Sequence, residues 1–248
     1  FVKGVAIGDL NNDGFPDIYL SRMNMPNKLM MNAGANGAEQ IRFVDISTYA
    51  VVEEPQMSFP TWFFDYDNDG WEDIFVSGYA LSEEAVSPLV QVAANFLGKP
   101  APATPKLYKN NADNTFTEVS ADLGFSDALI SMGGNFGDLD NDGFLDAYLG
   151  TGGFGLDEWI PNRLLMNQGG NNFVEASAAA KVAHLLKSSS IALGDVDNDG
   201  DQDIYAVIGG AYEGDVAANA LFENPGSTKN SWITIRLQGK ESNRMAVG

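Results

Sequence analysis

The sequence predicts an all-β protein, a β-propeller built of four-stranded blades, and three observations carry that expectation. One acidic nonapeptide recurs four times in nearly the same form. Short apolar segments of strand type flank each copy. Two more such segments follow before the next copy begins, so each unit supplies four strands, which is the blade of a propeller.

The 248 residues, 44% of them apolar, are enough for one ordinary domain or two small ones with a sizeable core. Against 34 acids stand 14 bases, a formal charge of −20. Such a surface repels phosphate backbones and anionic lipid heads, so nucleic-acid binding is not expected and metal cations are the natural counter-charge. No apolar run approaches the roughly 18 residues that cross a bilayer, so membrane insertion is not expected either. The lack of cysteine removes disulfides, thiolate metal sites and cysteine nucleophiles together.

Half of the acids lie in the four nonapeptides: Asp9-Leu-Asn-Asn-Asp-Gly-Phe-Pro-Asp17, Asp65-Tyr-Asp-Asn-Asp-Gly-Trp-Glu-Asp73, Asp138-Leu-Asp-Asn-Asp-Gly-Phe-Leu-Asp146 and Asp195-Val-Asp-Asn-Asp-Gly-Asp-Gln-Asp203. A solvated acidic face would show neither a fixed register nor a glycine in every copy. Carboxylates or amides at positions 1, 3, 5 and 9, with glycine at 6, match the first nine positions of an EF-hand calcium loop. Alternate side chains of a tightly curled loop converge on one point, and position 7 adds a backbone carbonyl. The candidate ligands are therefore Asp9, Asn11, Asp13, Phe15 and Asp17; Asp65, Asp67, Asp69, Trp71 and Asp73; Asp138, Asp140, Asp142, Phe144 and Asp146; and Asp195, Asp197, Asp199, Asp201 and Asp203. Hard oxygen donors in a flexible loop select Ca2+, up to four ions, over zinc, copper or magnesium. Asn11 gives the first loop one less charge, so the first site is expected to be the weakest.

Position 12 departs from the EF-hand. Its bidentate glutamate is replaced by Leu20, Val76, Leu149 and Ala206, and each loop runs into a strand-type segment beginning at Asp17, Asp73, Asp146 or Asp203. Segments at 4–8, 61–64, 134–137 and 191–194 precede the loops, which makes each loop the turn of a β-hairpin. Third strands follow at Asn27-Lys-Leu-Met-Met-Asn32, Pro105-Lys-Leu-Tyr-Lys-Asn110, Asn162-Arg-Leu-Leu-Met-Asn167 and Asn219-Ala-Leu-Phe-Glu-Asn224. Fourth strands are expected at 41–45, 115–119, 172–175 and 231–236. The units lie near 1–50, 51–120, 121–180 and 181–230. The second is lengthened by an insertion over 78–104, read as a helix from Ser82 packing on its own domain, followed by a proline-rich return.

The Asp-x-Asp-x-Asp-Gly-x-x-Asp loop between two blade strands resembles the FG-GAP or VCBS repeat, also seen in integrin α-subunit propellers. The Asn-x-Leu-x-x-Asn segments, with Trp232 to Gly248, resemble the ASPIC/UnbV group. The resemblance implies a secreted protein with a propeller of about seven blades. This chain is then a fragment carrying four blades, with 231–248 the start of a truncated ASPIC/UnbV-like module.

Catalysis finds little support. His184 is the single histidine and lacks a triad around it. Gly150-Thr-Gly-Gly-Phe-Gly155 satisfies a dinucleotide pattern, but Leu156-Asp-Glu-Trp-Ile-Pro leads into the next strand and not a helix, so a connection between strands is expected. Calcium-bound carboxylates are not free to act as general acids. The expected function is a non-enzymatic, calcium-binding interaction or adhesion module, extracellular, on a cell surface or periplasmic, with a protein or glycan ligand. The alternative is a carbohydrate-binding or carbohydrate-processing propeller with Trp71, Phe154 and Trp159 stacking on sugars and calcium as scaffold. A third expectation is self-association through blade edges.

Overall fold

The computed structural model describes residues 1–34, 41–79, 104–127, 129–153, 160–210, 213–226, 230 and 233. The expected helix at 82–96 and most of the last expected strand and the C-terminal module lie outside the described residues. Among the described residues, fifteen strands form four antiparallel meanders. The first contains β1 (Val2–Gly8), β2 (Asp17–Arg22), β3 (Lys28–Asn32) and β4 (Phe43–Asp45). The second contains β5 (Ser58–Phe64), β6 (Asp73–Gly78), β7 (Lys106–Asn110) and β8 (Phe116–Glu118). The third contains β9 (Ser131–Gly137), β10 (Asp146–Thr151), β11 (Arg163–Asn167) and β12 (Phe173–Glu175). The fourth has three strands among the described residues, β13 (Ser188–Gly194), β14 (Asp203–Ile208) and β15 (Ala220–Phe222).

Register repeats from blade to blade. The pair that closes each acidic hairpin is Gly8 with Asp17, Phe64 with Asp73, Gly137 with Asp146, and Gly194 with Asp203. A bulge breaks the ladder at the far end of every such hairpin, which adds local twist. Where strand four ends, a serine ties the outer strands together: the hydroxyls of Ser47, Ser120 and Ser177 accept the N–H of Leu29, Leu107 and Leu164 at 2.7–2.8 Å. The first of these serines opens a single helical turn, α1 (Ser47–Ala50), which the sequence reading lacked. It forms because the Asp45 carboxylate accepts both the N–H and the hydroxyl of Ser47. Val51, Gly124 and Lys181 then take left-handed φ of 61°, 94° and 62°. That reversal returns Val52, Phe125 and Val182 to the core.

The core lies between the sheets. Leu10, Tyr19, Leu29 and Val52 of the first blade pack on Phe63, Ile74, Tyr108 and Phe116 of the second. Tyr66, Phe75, Leu107 and Phe125 of the second meet Ala147, Leu149, Leu165 and Phe173 of the third. Leu139, Tyr148 and Leu164 meet Ile191, Ile204 and Ile208 across the last interface. A sheet covered on both faces buries consecutive residues, so all six residues of β6 and of β10 are buried, whereas those of β2 alternate between buried and half-buried. On the outward faces of the first and fourth blades, Ile7 (68%) and Tyr205 (40%) are exposed, while their counterparts Phe63 (5%) and Tyr148 (0%) are buried between blades.

The first strands of successive blades lie side by side. Gly4 faces Phe59 and Thr61 while Gly8 faces Phe63, so the strands run the same way. A Cβ on Gly133 would sit 2.8 Å from Ser189 O and Ser190 Cα, a distance that backbone cannot yield cheaply. Parallel first strands place the four acidic hairpin turns on one face of the molecule.

Candidate calcium loops

Each turn is built by its own acids. The position-1 carboxylate spans the next turn of chain: Asp138 accepts from the N–H groups of Asp142 (3.0 Å) and Gly143 (2.9 Å), and Asp9, Asp65 and Asp195 do the same. The position-5 carboxylates of Asp13, Asp69, Asp142 and Asp199 accept the N–H of Phe15, Trp71, Phe144 and Asp201 at 2.9–3.0 Å. Curling this tightly requires positive φ at position 6, which Gly14, Gly70, Gly143 and Gly200 supply at 84–96°. Position 4 is also left-handed, at Asn12, Asn68, Asn141 and Asn198. Asparagine tolerates that region better than other residues with a Cβ.

Position 9 has a second duty beyond the ligand role expected of it. Asp17, Asp73, Asp146 and Asp203 are buried. One oxygen of each accepts the N–H of position 2, and the other accepts the N–H of the asparagine ending the third strand. For Asp146 these are Leu139 at 2.9 Å and Asn167 at 2.8 Å. The same pair of bonds recurs in the other three blades. One carboxylate therefore pins the loop to the second and third strands.

The electrostatics favour a cation. Burial pushes the Asp73 carboxyl up to about 8 and that of Asp146 up to about 7, and their two backbone N–H donors only partly oppose it. Asp140 is raised by burial and then by repulsion from Asp142 and Asp138. Carboxylate oxygens of Asp65, Asp67 and Asp73, of Asp138, Asp140 and Asp146, and of Asp195, Asp197 and Asp199 lie within 4.8 Å of one another in each trio. In the second and third loops, Asp67 Oδ1 and Asp140 Oδ1 are buried and accept no hydrogen bond. Hard, clustered oxygens with spare lone pairs fit calcium. In the first loop the Asn11 side-chain amide instead donates to Asp13 Oδ2 at 3.0 Å.

Three contributions escaped the sequence reading. The position-4 side chains stitch successive loops together: Asn12 Nδ2 donates to Gly70 O (3.0 Å), Asn68 Nδ2 to Gly143 O (2.9 Å), and Asn141 Nδ2 to Asp201 Oδ1. Its recurrence in all four copies was the available signal. In the second, third and fourth blades the asparagine closing the third-strand motif reaches back to the preceding blade, as Asn110 Nδ2 does to Leu10 O and Asn167 Nδ2 to Tyr66 O, both at 2.7 Å, whereas Asn32 Nδ2 donates to Pro16 O of its own blade. Lys109 Nζ ion-pairs with Asp67 and, at 2.9 Å, with Asp69. Burial lowers the basicity of Lys109, but the two carboxylates outweigh it and hold the ammonium well above its usual range.

Among the described residues, the others singled out join no comparable constellation. His184 Nδ1 accepts the N–H of Leu186 at 3.2 Å, and its ring meets Phe222 edge-on. Gly150 and Thr151 end β10, while Phe154 and Trp159 lie outside the described residues. Trp71 is half-buried in its loop.

Blades of four antiparallel strands, each turning through an acidic loop on a common face, define a repeat β-propeller. The family model described as FG-GAP-like repeat matches residues 9–76 and 92–149, and the chain belongs to that family. Among relatives, human Cartilage acidic protein 1 is 26% identical over 155 residues, covering 60% of this chain and 20% of that protein. Its Xenopus tropicalis counterpart is 29% identical over 150 residues, covering 60% and 21%. The chain thus spans about a fifth of the length of the curated relatives it matches. A solved chain from work on specific recognition of non-reducing terminal N-acetylglucosamine by an Agrocybe aegerita lectin superposes with a TM-score of 0.41 at 16% identity, covering 88% of this chain and 51% of that one. No helix among the described residues is long and apolar enough to cross a membrane.

Proposed function

We propose that the chain is a non-enzymatic, calcium-stabilised interaction module of an extracellular protein, its acidic loops taking up to four Ca2+ as structural ions. The observation that carries this reading is the pair of buried, unpartnered oxygens, Asp67 Oδ1 and Asp140 Oδ1, each on an aspartate of a carboxylate trio. Calcium supplies the positive charge that lets such a cluster stay ionised and close together. The chain's own residues do the rest. Position 1 holds the curl, position 9 ties it to the sheet, and the position-4 asparagines carry its order from loop to loop. Residues 195, 197 and 199 form an exposed trio, which suits a compartment where calcium is near millimolar and weak sites fill. The name of the cartilage acidic relatives supports an extracellular setting.

Melting the chain with calcium and with a chelator tests the reading. Each independent site held at 100-fold its dissociation constant adds about 2.7 kcal/mol, so chelation lowers Tm by several degrees or more. Identical melts, together with no heat of calcium binding by calorimetry, would overturn it.

A further inference from the structure

The second loop carries its own cation. Lys109 is the penultimate residue of its third-strand motif, where the other blades have Met31, Met166 and Glu223. The pairing of β7 with β6, which sets Tyr108 opposite Ile74, brings Lys109 up beside the loop between β5 and β6. There its ammonium donates to Asp67 and to Asp69 Oδ2, positions 3 and 5, and lies 5.6 Å from the centre of the Tyr66 ring. The third loop offers the same four ligand carboxylates, but Met166 stands in place of Lys109, and among the described residues no ion pair reaches Asp140 or Asp142.

We propose that Lys109 is an internal counter-cation that holds the second loop in shape without metal and makes it a weaker calcium site than the third. The inference rests on the calcium reading above and concerns how the sites differ. An ion entering the second loop must displace an ammonium already paired with two carboxylates; among the described residues, an ion entering the third displaces none. Removing one positive charge a few ångströms from a divalent site, in partly buried surroundings, strengthens binding by at least about tenfold. The second loop also sits between its neighbours, receiving the Asn12 amide and donating through Asn68 to Gly143 O. A loop fixed without metal there keeps the shared face organised as calcium falls.

Terbium, a calcium mimic excited through nearby indoles, reads the loops separately. Trp71 is position 7 of the second loop, while the third has Phe144. Trp71-dependent emission, the part lost in Trp71→Phe, reports the second loop; Phe144→Trp in the Trp71→Phe background reports the third. The third loop is expected to saturate at a terbium concentration at least tenfold below the second. Lys109→Met should bring the second down by a similar factor, and Lys109→Arg should leave it as in the parent. Equal saturation of both loops, or a Lys109→Met titration matching the parent, overturns the inference while leaving calcium binding intact. Silence from both reporters sinks the calcium reading and this inference with it. The parent comparison of the two loops decides the matter even if Lys109→Met fails to fold.

Discussion

Replacing Asn167 by alanine isolates the bond that fastens the third blade to the second. Its side chain is fully buried. Nδ2 donates to Tyr66 O at 2.7 Å and Leu145 O at 3.2 Å, and Oδ1 accepts the Gly170 N–H at 2.8 Å. Alanine keeps the backbone N–H that Asp146 accepts, so the change strips only these three bonds. Losing the partner of a buried carbonyl costs about 2 kcal/mol, and each part-buried bond about 0.5–1 kcal/mol more. The sum is about 3 kcal/mol, or roughly 6–12 °C in Tm for a chain of this size. Scanning calorimetry in saturating calcium measures it, with Asn171→Ala as the control. Asn171 is exposed and bonds only within its own turn, so its loss should cost under about 0.5 kcal/mol. If Asn167→Ala melts within about 1 kcal/mol of the parent, or falls no further than Asn171→Ala, the reasoning about blade attachment is wrong.

Gly133→Val should lower the unfolding free energy measured by urea titration by about 1–3 kcal/mol, because the new side chain meets the backbone of Ser189 and Ser190. Tyr148→Phe removes a buried hydroxyl that donates to Val182 O at 2.7 Å and accepts from Asn162 at 3.1 Å, and should cost about 1–2 kcal/mol in the same assay. Lys28→Ala breaks a 2.7 Å pair with Asp45 whose side chains are 30% and 43% exposed, so its effect should stay under about 1 kcal/mol. Burial raises the Tyr108 phenol well above its ordinary range. Folding therefore favours its neutral form, and the associated stability, complete below about pH 10, is lost as pH rises further. Tyr19, Tyr66 and Tyr148 are raised as well, so an absorbance titration should count one fewer tyrosine resisting ionisation near pH 10 in Tyr108→Phe than in the parent.

Much of the calcium-type loop was legible in advance because its bonds are short in sequence. Position 1 to positions 5 and 6, and position 5 to position 7, are contacts that nine residues make among themselves, so spacing alone reveals them. The four-stranded units were exposed likewise by short apolar segments that recur at the same offsets around every loop, since each repeat is one supersecondary unit. The helical turn at Ser47 went unseen because a single turn has no periodicity to detect. Lys109 went unseen because in one dimension it is an ordinary charge in a strand, 40 residues from Asp69.

From the residues themselves came the all-β repeat, the hairpin register and the carboxylate trios of the second, third and fourth loops, all products of local geometry. Stacking decided what joins the blades. Asn12 finds Gly70 O across 58 residues and Asn167 finds Tyr66 O across 101, and no spacing rule links them. It also decided which apolar faces are covered: Phe63 is buried and Ile7 exposed at the same place in the repeat because the described chain sets a preceding blade against only one of them. Long-range partners are fixed only when sheets pack face to face, and packing is where four near-identical loops acquire different neighbours and, through Lys109, a different charge.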